Sequence, residues 1–191
     1  MSPRPAVFLD RDGTIVEEAG YIDRLERLKL FPWSLDAVRL LNRGGFRVVV
    51  VTNQAGVAYG YFDEAFVRGV HDHLDAQLRA SGAEVDGFYY CPHHPEAPLP
   101  EYRQPCDCRK PAPGLFLRAA REHDLDLARS YAVGDRWRDV EAARNAGVIP
   151  VLVRSGYGAS EAAADRSAPV PAHVADNLIG ATTWILRQRG C

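Results

Sequence analysis

Short apolar runs bounded by turn residues recur along the chain at 7–9, 48–51, 87–90, 131–133 and 148–153. They are continuous rather than alternating, and rich in β-branched and aromatic residues, the pattern of strands covered on both faces. Between them the apolar positions fall at helical spacing. Leu35, Val38 and Leu41 follow Ser34, a candidate N-cap, and end at Gly44-Gly45; Phe66, Val70, Leu74 and Leu78 follow Asp63 and end at Gly82. Segments 115–123, 139–146 and 176–187 supply further helices. Strands alternating with helices predict an α/β fold, a doubly wound parallel sheet with helices on both faces and a site at the carboxyl ends of the strands.

Two stretches break this rhythm. Residues 91–113 are rich in Pro, Cys and His and too long for a routine connection, so they are functional or tied down by a ligand. Residues 155–171, rich in Ala, Gly and Pro, read as a surface loop before the last helix. No internal repeat or linker divides the 191 residues, which suit one domain spanning 1–191.

Apolar residues make up 47% and charged residues 25%, values of a globular rather than disordered chain. A formal net charge of -2 carries no basic footprint for nucleic acid. Met1 to Pro5 lead straight into a short strand without a signal-peptide pattern, and no apolar run approaches bilayer length, so no membrane partner is expected. The expectation is a cytoplasmic monomer acting on a small molecule.

Candidate chemistry begins at Asp10-Arg11-Asp12-Gly13-Thr14, directly after the first strand. Two carboxylates where a buried strand opens into a Gly turn run against propensity. A polar Asx turn is the bland explanation; a nucleophile beside an acid/base, at a sheet edge where a cation binds, is the functional one. Other strand ends carry matching chemistry. Thr52-Asn53-Gln54 offer hydrogen bonds to phosphoryl oxygens after the second strand, and Gly134-Asp135 leads to Arg136 and Asp139 after the fourth. Lys110, alone an ordinary surface lysine, joins this group once the strand ends converge. Asp10, Asp12 and Asp135 with waters would suit Mg2+, a hard dication that takes oxygen ligands.

Three cysteines cluster at Cys91, Cys106 and Cys108, with His93 and His94 beside them. Buried free thiols are one reading. Three thiolates and one imidazole, the closed tetrahedral set of a structural Zn2+, are the other, with His93 and His94 competing for the fourth place. His71, His73, His123 and His173 read as packing or surface residues, as do Trp33, Trp137 and Trp184 for packing.

The ordered motifs Phe8-Leu9-Asp10-Arg11-Asp12-Gly13-Thr14, Val51-Thr52-Asn53-Gln54, Arg109-Lys110-Pro111 and Val133-Gly134-Asp135 resemble the haloacid dehalogenase superfamily of aspartate-nucleophile phosphatases. Gly20-Tyr21-Ile22, Cys91-Pro92-His93-His94-Pro95 and Cys106-Asp107-Cys108 further resemble its sugar-bisphosphate branch, with histidinol phosphate as the rival substrate. The resemblance implies that Asp10 attacks phosphorus, that Asp12 serves as acid and then base, and that Thr52 and Lys110 stabilise the transferring group. It implies Mg2+ on the Asp10 and Asp135 side chains and the Asp12 carbonyl. It selects His93 for zinc, in a loop at 91–108. Glu18, Tyr21, Thr52, Asn53, Gln54, Arg109 and Lys110 would bind substrate, with Arg109 recognising its remote part. Many relatives carry Lys where Arg136 stands. Residues 15–33 are too short for a large cap domain, so a capless site is expected, with specificity drawn from loops at 18–22, 54–59 and 103–109. A catalytically silent zinc-loop binding module is the non-enzymatic alternative, and the intact Asp10, Asp12, Lys110 and Asp135 argue against it.

Overall fold

A computed structural model of the chain describes residues 3–164 and 170–188. The elements run β1 (Ala6–Leu9), α1 (Ser34–Arg43), β2 (Arg47–Asn53), α2 (Glu64–Ala80), β3 (Gly87–Cys91), α3 (Gly114–His123), β4 (Tyr131–Gly134), α4 (Trp137–Asn145), β5 (Ile149–Val153), α5 (Gly158–Ala163), β6 (His173–Ala175) and α6 (Leu178–Gln188). The six strands pair in parallel in the order β3-β2-β1-β4-β5-β6. This is the doubly wound arrangement that the alternation of strands and helices predicts.

Strand alternation divides the core into two layers. Val7 and Leu9 of β1, with Val48 and Val50 of β2, pack under α1, α2 and α6 through Val38, Leu41, Leu74, Leu178 and Ile185. Ala6, Phe8, Val49 and Val51 face the other way, onto Leu115, Phe116 and Ala119 of α3 and Ala142 and Ala143 of α4. Burial on both faces is why these strands read as unbroken apolar runs. Phe8 and Phe116 are both fully buried with ring centroids 4.8 Å apart, and truncating either to Ala would cost about 3–5 kcal/mol.

Several boundaries depart from expectation. Asp63 does cap α2, accepting a hydrogen bond from the Phe66 amide at 2.7 Å. Ser34 does not cap α1: its hydroxyl donates to the Ile15 carbonyl at 2.6 Å, and the N-cap is Trp33 without a side-chain bond. That carbonyl also accepts from the Phe31 amide at 3.1 Å, and the buried hydroxyl finds its partner across the fold rather than in its own helix. α4 begins at Trp137 and α6 at Leu178, offset by two residues from the apolar pattern. The stretch read as a loop at 155–171 contains α5, while 165–169 lie outside the described residues, as does Cys191. Beyond it, β6 is a sixth strand that the pattern misses, because three residues beside Pro and Ala carry no readable period. No described helix is long and apolar enough to cross a membrane.

Candidate active site

Strand order reverses around β1, which has β2 on one side and β4 on the other, and a crevice opens at the carboxyl ends of such a pair. Asp10 stands there, its amide donating to the Val133 carbonyl at 2.9 Å. The chain then turns at Gly13, whose φ is +80°, and a Cβ at this position would meet Asp135 Oδ2 at 2.3 Å. Gly156, with φ +57°, approaches the same oxygen as closely. The two glycines let backbone wrap Asp135, which also accepts from the Tyr157 amide at 2.8 Å.

Lys110 arrives from a distant part of the chain. Its Nζ lies 2.7 Å from Asp10 Oδ1, 2.6 Å from Asp139 Oδ1 and 2.8 Å from the Val51 carbonyl. Burial works against its charge, but Asp10 and Asp139 outweigh it and raise its pKa. Asn53 aligns this segment by exchanging two hydrogen bonds, each 3.0 Å, with the Lys110 backbone.

The carboxylate oxygens of Asp10, Asp135 and Asp139 lie within 4.8 Å of one another. Burial pushes the Asp10 carboxyl up to about 7, against the pull of Lys110, and burial, Asp10 and Asp139 push Asp135 up to about 8. Three carboxylates around one ammonium leave two negative charges when all are ionised, so the residues fit a divalent cation bound by oxygen. Asp139 is the member absent from the expected set. Its signal was available, four residues after Asp135 on the next helix, but its side chain could equally cap that helix, and it does accept from the Arg136 amide at 3.0 Å. The Asp12 carboxylate stands apart from this cluster, leaving its carbonyl as the group it could offer a metal.

Asp12 is held from behind. Its Oδ2 accepts from Arg11 Nη2 at 2.9 Å and Gln54 Nε2 at 3.0 Å, and Oδ1 from Arg11 at 3.0 and 3.1 Å. Arg11 is only 2% exposed and also bonds Gln54 Oε1. Buried His71 lies 3.4 Å behind Arg11, its pKa driven down to about 3 by burial and that guanidinium. Gln54 further donates to Thr52 Oγ1 at 2.8 Å. Asn53 and Gln54, expected to meet substrate, line the cleft, and their side chains also bond Lys110, Asp12, Thr52 and Arg11. A short polar side chain at a strand end looks the same in sequence whichever way it points.

At the end of β3 a second cluster closes. Cys91 Sγ lies 3.1 Å from Cys108 Sγ and 3.6 Å from Cys106 Sγ, and His93 Nδ1 is 3.4 Å from Cys108 and 3.7 Å from Cys91. A tetrahedron about zinc, with Zn–S near 2.3 Å, has edges of roughly 3.5 to 3.8 Å; two of these distances match and two are shorter by a few tenths of an ångström, so small side-chain shifts would let the group fit the metal. The hydrogen bond shared with Cys108 and then burial raise the Cys91 thiol, while the same shared bond is the main reason Cys108 falls to about 5. His94 is not in the group: its Nδ1 lies 3.2 Å from the Tyr59 hydroxyl.

The carboxylates and the segment that follows the cysteines border a cleft of about 370 Å3. Glu18, Tyr21, Thr52, Asn53, Gln54, Arg109 and Lys110 all line it, and Arg136 does so with its guanidinium 3.5 Å from the Tyr157 ring centroid. Tyr59 of the loop 54–59, His94 and Arg138 line it too, none of them named individually as a substrate contact from the sequence. Each lies on an irregular segment or in the first turn of a helix, where no local period marks the direction of a side chain.

Comparisons with known proteins fit this geometry. A family model described as HAD-hyrolase-like matches residues 107–181. A D-glycero-beta-D-manno-heptose-1,7-bisphosphate 7-phosphatase of Escherichia coli O6:H1 is 47% identical, covering 80% of each chain. A D-glycero-D-manno-heptose-1,7-bisphosphate 7-phosphatase of Thermosynechococcus vestitus is 43% identical, covering 96% of each. Among solved structures, the D,D-heptose 1,7-bisphosphate phosphatase of B. bronchiseptica, complexed with magnesium and phosphate, superposes with a TM-score of 0.86 at 34% identity, over 96% of this chain and 99% of that one.

Proposed function

The chain belongs to the D-glycero-D-manno-heptose-1,7-bisphosphate 7-phosphatase family of haloacid dehalogenase-like phosphoric monoester hydrolases, and from that premise we propose that it hydrolyses the C7 phosphate of the heptose bisphosphate and releases the 1-phosphate. The observation that carries the reaction class is the buried Lys110 held on Asp10 beside two further carboxylates, at the floor of a polar cleft.

Asp10 is the nucleophile. Lys110 engages Oδ1 and no hydrogen bond to Oδ2 is found among the described residues, so one oxygen is anchored while the other attacks. As the bond from phosphorus to Asp10 forms, the bond to the C7 oxygen breaks, and Asp12 delivers its proton to the departing alkoxide. Asp12, now a carboxylate, takes a proton from water; that water attacks phosphorus and frees Asp10. Arg11 and Gln54 keep Asp12 in one orientation through both halves, and Thr52 and Lys110 offer hydrogen bonds to the phosphoryl oxygens. When bound by Asp10, Asp135 and the Asp12 carbonyl, magnesium supplies positive charge to the same oxygens. Asp139 helps Asp10 orient Lys110, with its Oδ1 2.6 Å from Nζ.

Cys91, His93, Cys106 and Cys108 hold a structural zinc in this reading. The protein acts as a capless, cytoplasmic monomer over 1–191. Phosphate release from the heptose bisphosphate, histidinol phosphate and an aryl phosphate tests the assignment. The bisphosphate should be turned over with the highest kcat/KM by at least tenfold; faster turnover of histidinol phosphate would move the chain to that activity.

A further inference from the structure

The cleft contains a second cationic locus, away from Lys110, that no carboxylate among the described residues neutralises. Arg109 and Arg138 both line the cleft and are half-buried. Tyr21 and His94 line the same cleft and feel the charge of both arginines. The only hydrogen bond found for the Arg109 side chain goes to the His93 carbonyl at 3.1 Å, and no ion pair or hydrogen bond is found for the Arg138 side chain among the described residues.

The acids of the cleft are engaged elsewhere. Asp10 and Asp139 face Lys110, Asp12 faces Arg11, Asp135 belongs to the carboxylate cluster, and Glu18 accepts from the Gly20 amide at 2.7 Å. Arg136 has its own partners, the Tyr157 ring and Glu161 at 4.0 Å. Two guanidiniums that share one cleft and have no carboxylate partner among the described residues favour an anion from outside.

We infer that Arg138 acts with Arg109 as a clamp for the non-reacting phosphate, making Arg138 a specificity-determining residue. The inference rests on the bisphosphate reading above. Asp10 and Lys110 engage the phosphate being transferred, while the arginine pair, at the wall formed by Tyr21 and His94, engages the one that stays on the sugar. The same pair disfavours a substrate that carries positive charge and no second phosphate, as histidinol phosphate does with its ammonium group. Arg109 is anchored on the zinc loop and Arg138 on the first turn of α4, so the clamp spans two elements.

The test compares the parent, Arg138→Gln and Arg138→Lys. Its readouts are kcat/KM for the heptose bisphosphate and an aryl phosphate, and product inhibition by the heptose 1-phosphate, which carries only the non-reacting phosphate. In Arg138→Gln the preference for the bisphosphate over the aryl phosphate should fall about tenfold or more, and the inhibition constant of the 1-phosphate should rise by a similar factor. Arg138→Lys, which keeps the charge but not the fork, should fall between the two and serves as the second variant should Gln disturb the fold. A parent that prefers the bisphosphate, with both variants within twofold of it on both readouts, overturns the clamp alone. A parent indifferent to the second phosphate overturns the bisphosphate reading as well.

Discussion

The Asn53 side chain and the Lys110 backbone form a reciprocal pair: Nδ2 donates to the Lys110 carbonyl and Oδ1 accepts from the Lys110 amide, both at 3.0 Å. Asn53 ends β2, whose neighbour β1 leads directly into Asp10. The pair therefore references the position of the lysine to the same sheet that carries the nucleophile. Asn53→Ala should lower kcat about ten- to a hundredfold, since small displacements of a positioned group are costly, while the melting temperature changes by only a few degrees. An Asn53→Ala enzyme with the parent kcat would show that Lys110 finds its place without this contact.

Replacing Asp10 with Asn removes the attacking carboxylate and leaves a nearly isosteric side chain. Turnover should be abolished with the sheet intact by circular dichroism. The parent should be inhibited by beryllofluoride, a mimic of the aspartyl-phosphate. Turnover near the parent rate in Asp10→Asn would exclude a covalent path through this residue.

The proposed zinc site should be coupled to catalysis through the chain that follows it. Cys106 and Cys108 immediately precede Arg109 and Lys110, so four occupied ligand positions fix the approach of both cations to the cleft. Cys108→Ala, or removal of zinc to a level verified by elemental analysis, should cost on the order of a hundredfold in rate while β1 to β5 stay folded. Added magnesium should not restore the loss, because the closed thiolate site and the carboxylate site do not exchange roles. Full kcat in verified zinc-free protein would break the coupling.

Magnesium affinity should depend on pH with a definite sign. Without metal, burial raises the Asp10 carboxyl to about 7 and Asp135 to about 8 from an ordinary value of 3.8. For a raised acid, the folded state holds protons that the unfolded chain has released, so the cost to stability is absent below about pH 4 and complete above about pH 8. A dication must displace those protons. Its dissociation constant should therefore fall by about tenfold or more between pH 6 and 8, with proton release seen by calorimetry in buffers of different ionisation enthalpy. A constant that does not change over that interval would mean that the carboxylates are already ionised in the metal-free protein.

Much of this molecule was legible in one dimension. Unbroken apolar runs predicted the parallel sheet, because strands buried on both faces have no polar face to alternate with. Asp10, Asp12 and Asp135 stood out because carboxylates at strand ends oppose strand propensity, and the Cys/His spacing marked the second cluster. The resemblance, which rests on motif order rather than on spacing, selected His93 over His94, and the structure places His93 Nδ1 against the thiols.

What the sequence left open was direction. Asn53 and Gln54 read as substrate contacts, and only the fold shows that their side chains also bond Lys110 and Asp12. Asp139 could have been only a helix cap, Arg11 only a turn residue, and Arg138 only a solvated helix residue. Each of these is decided by partners far away along the chain or by the wall a helix faces. Strand order brings β1, β2 and β4 together, and the loop after β3 carries Lys110 back across them. A local pattern records whether a side chain is buried; which group it meets there depends on the packing of segments that the sequence holds far apart.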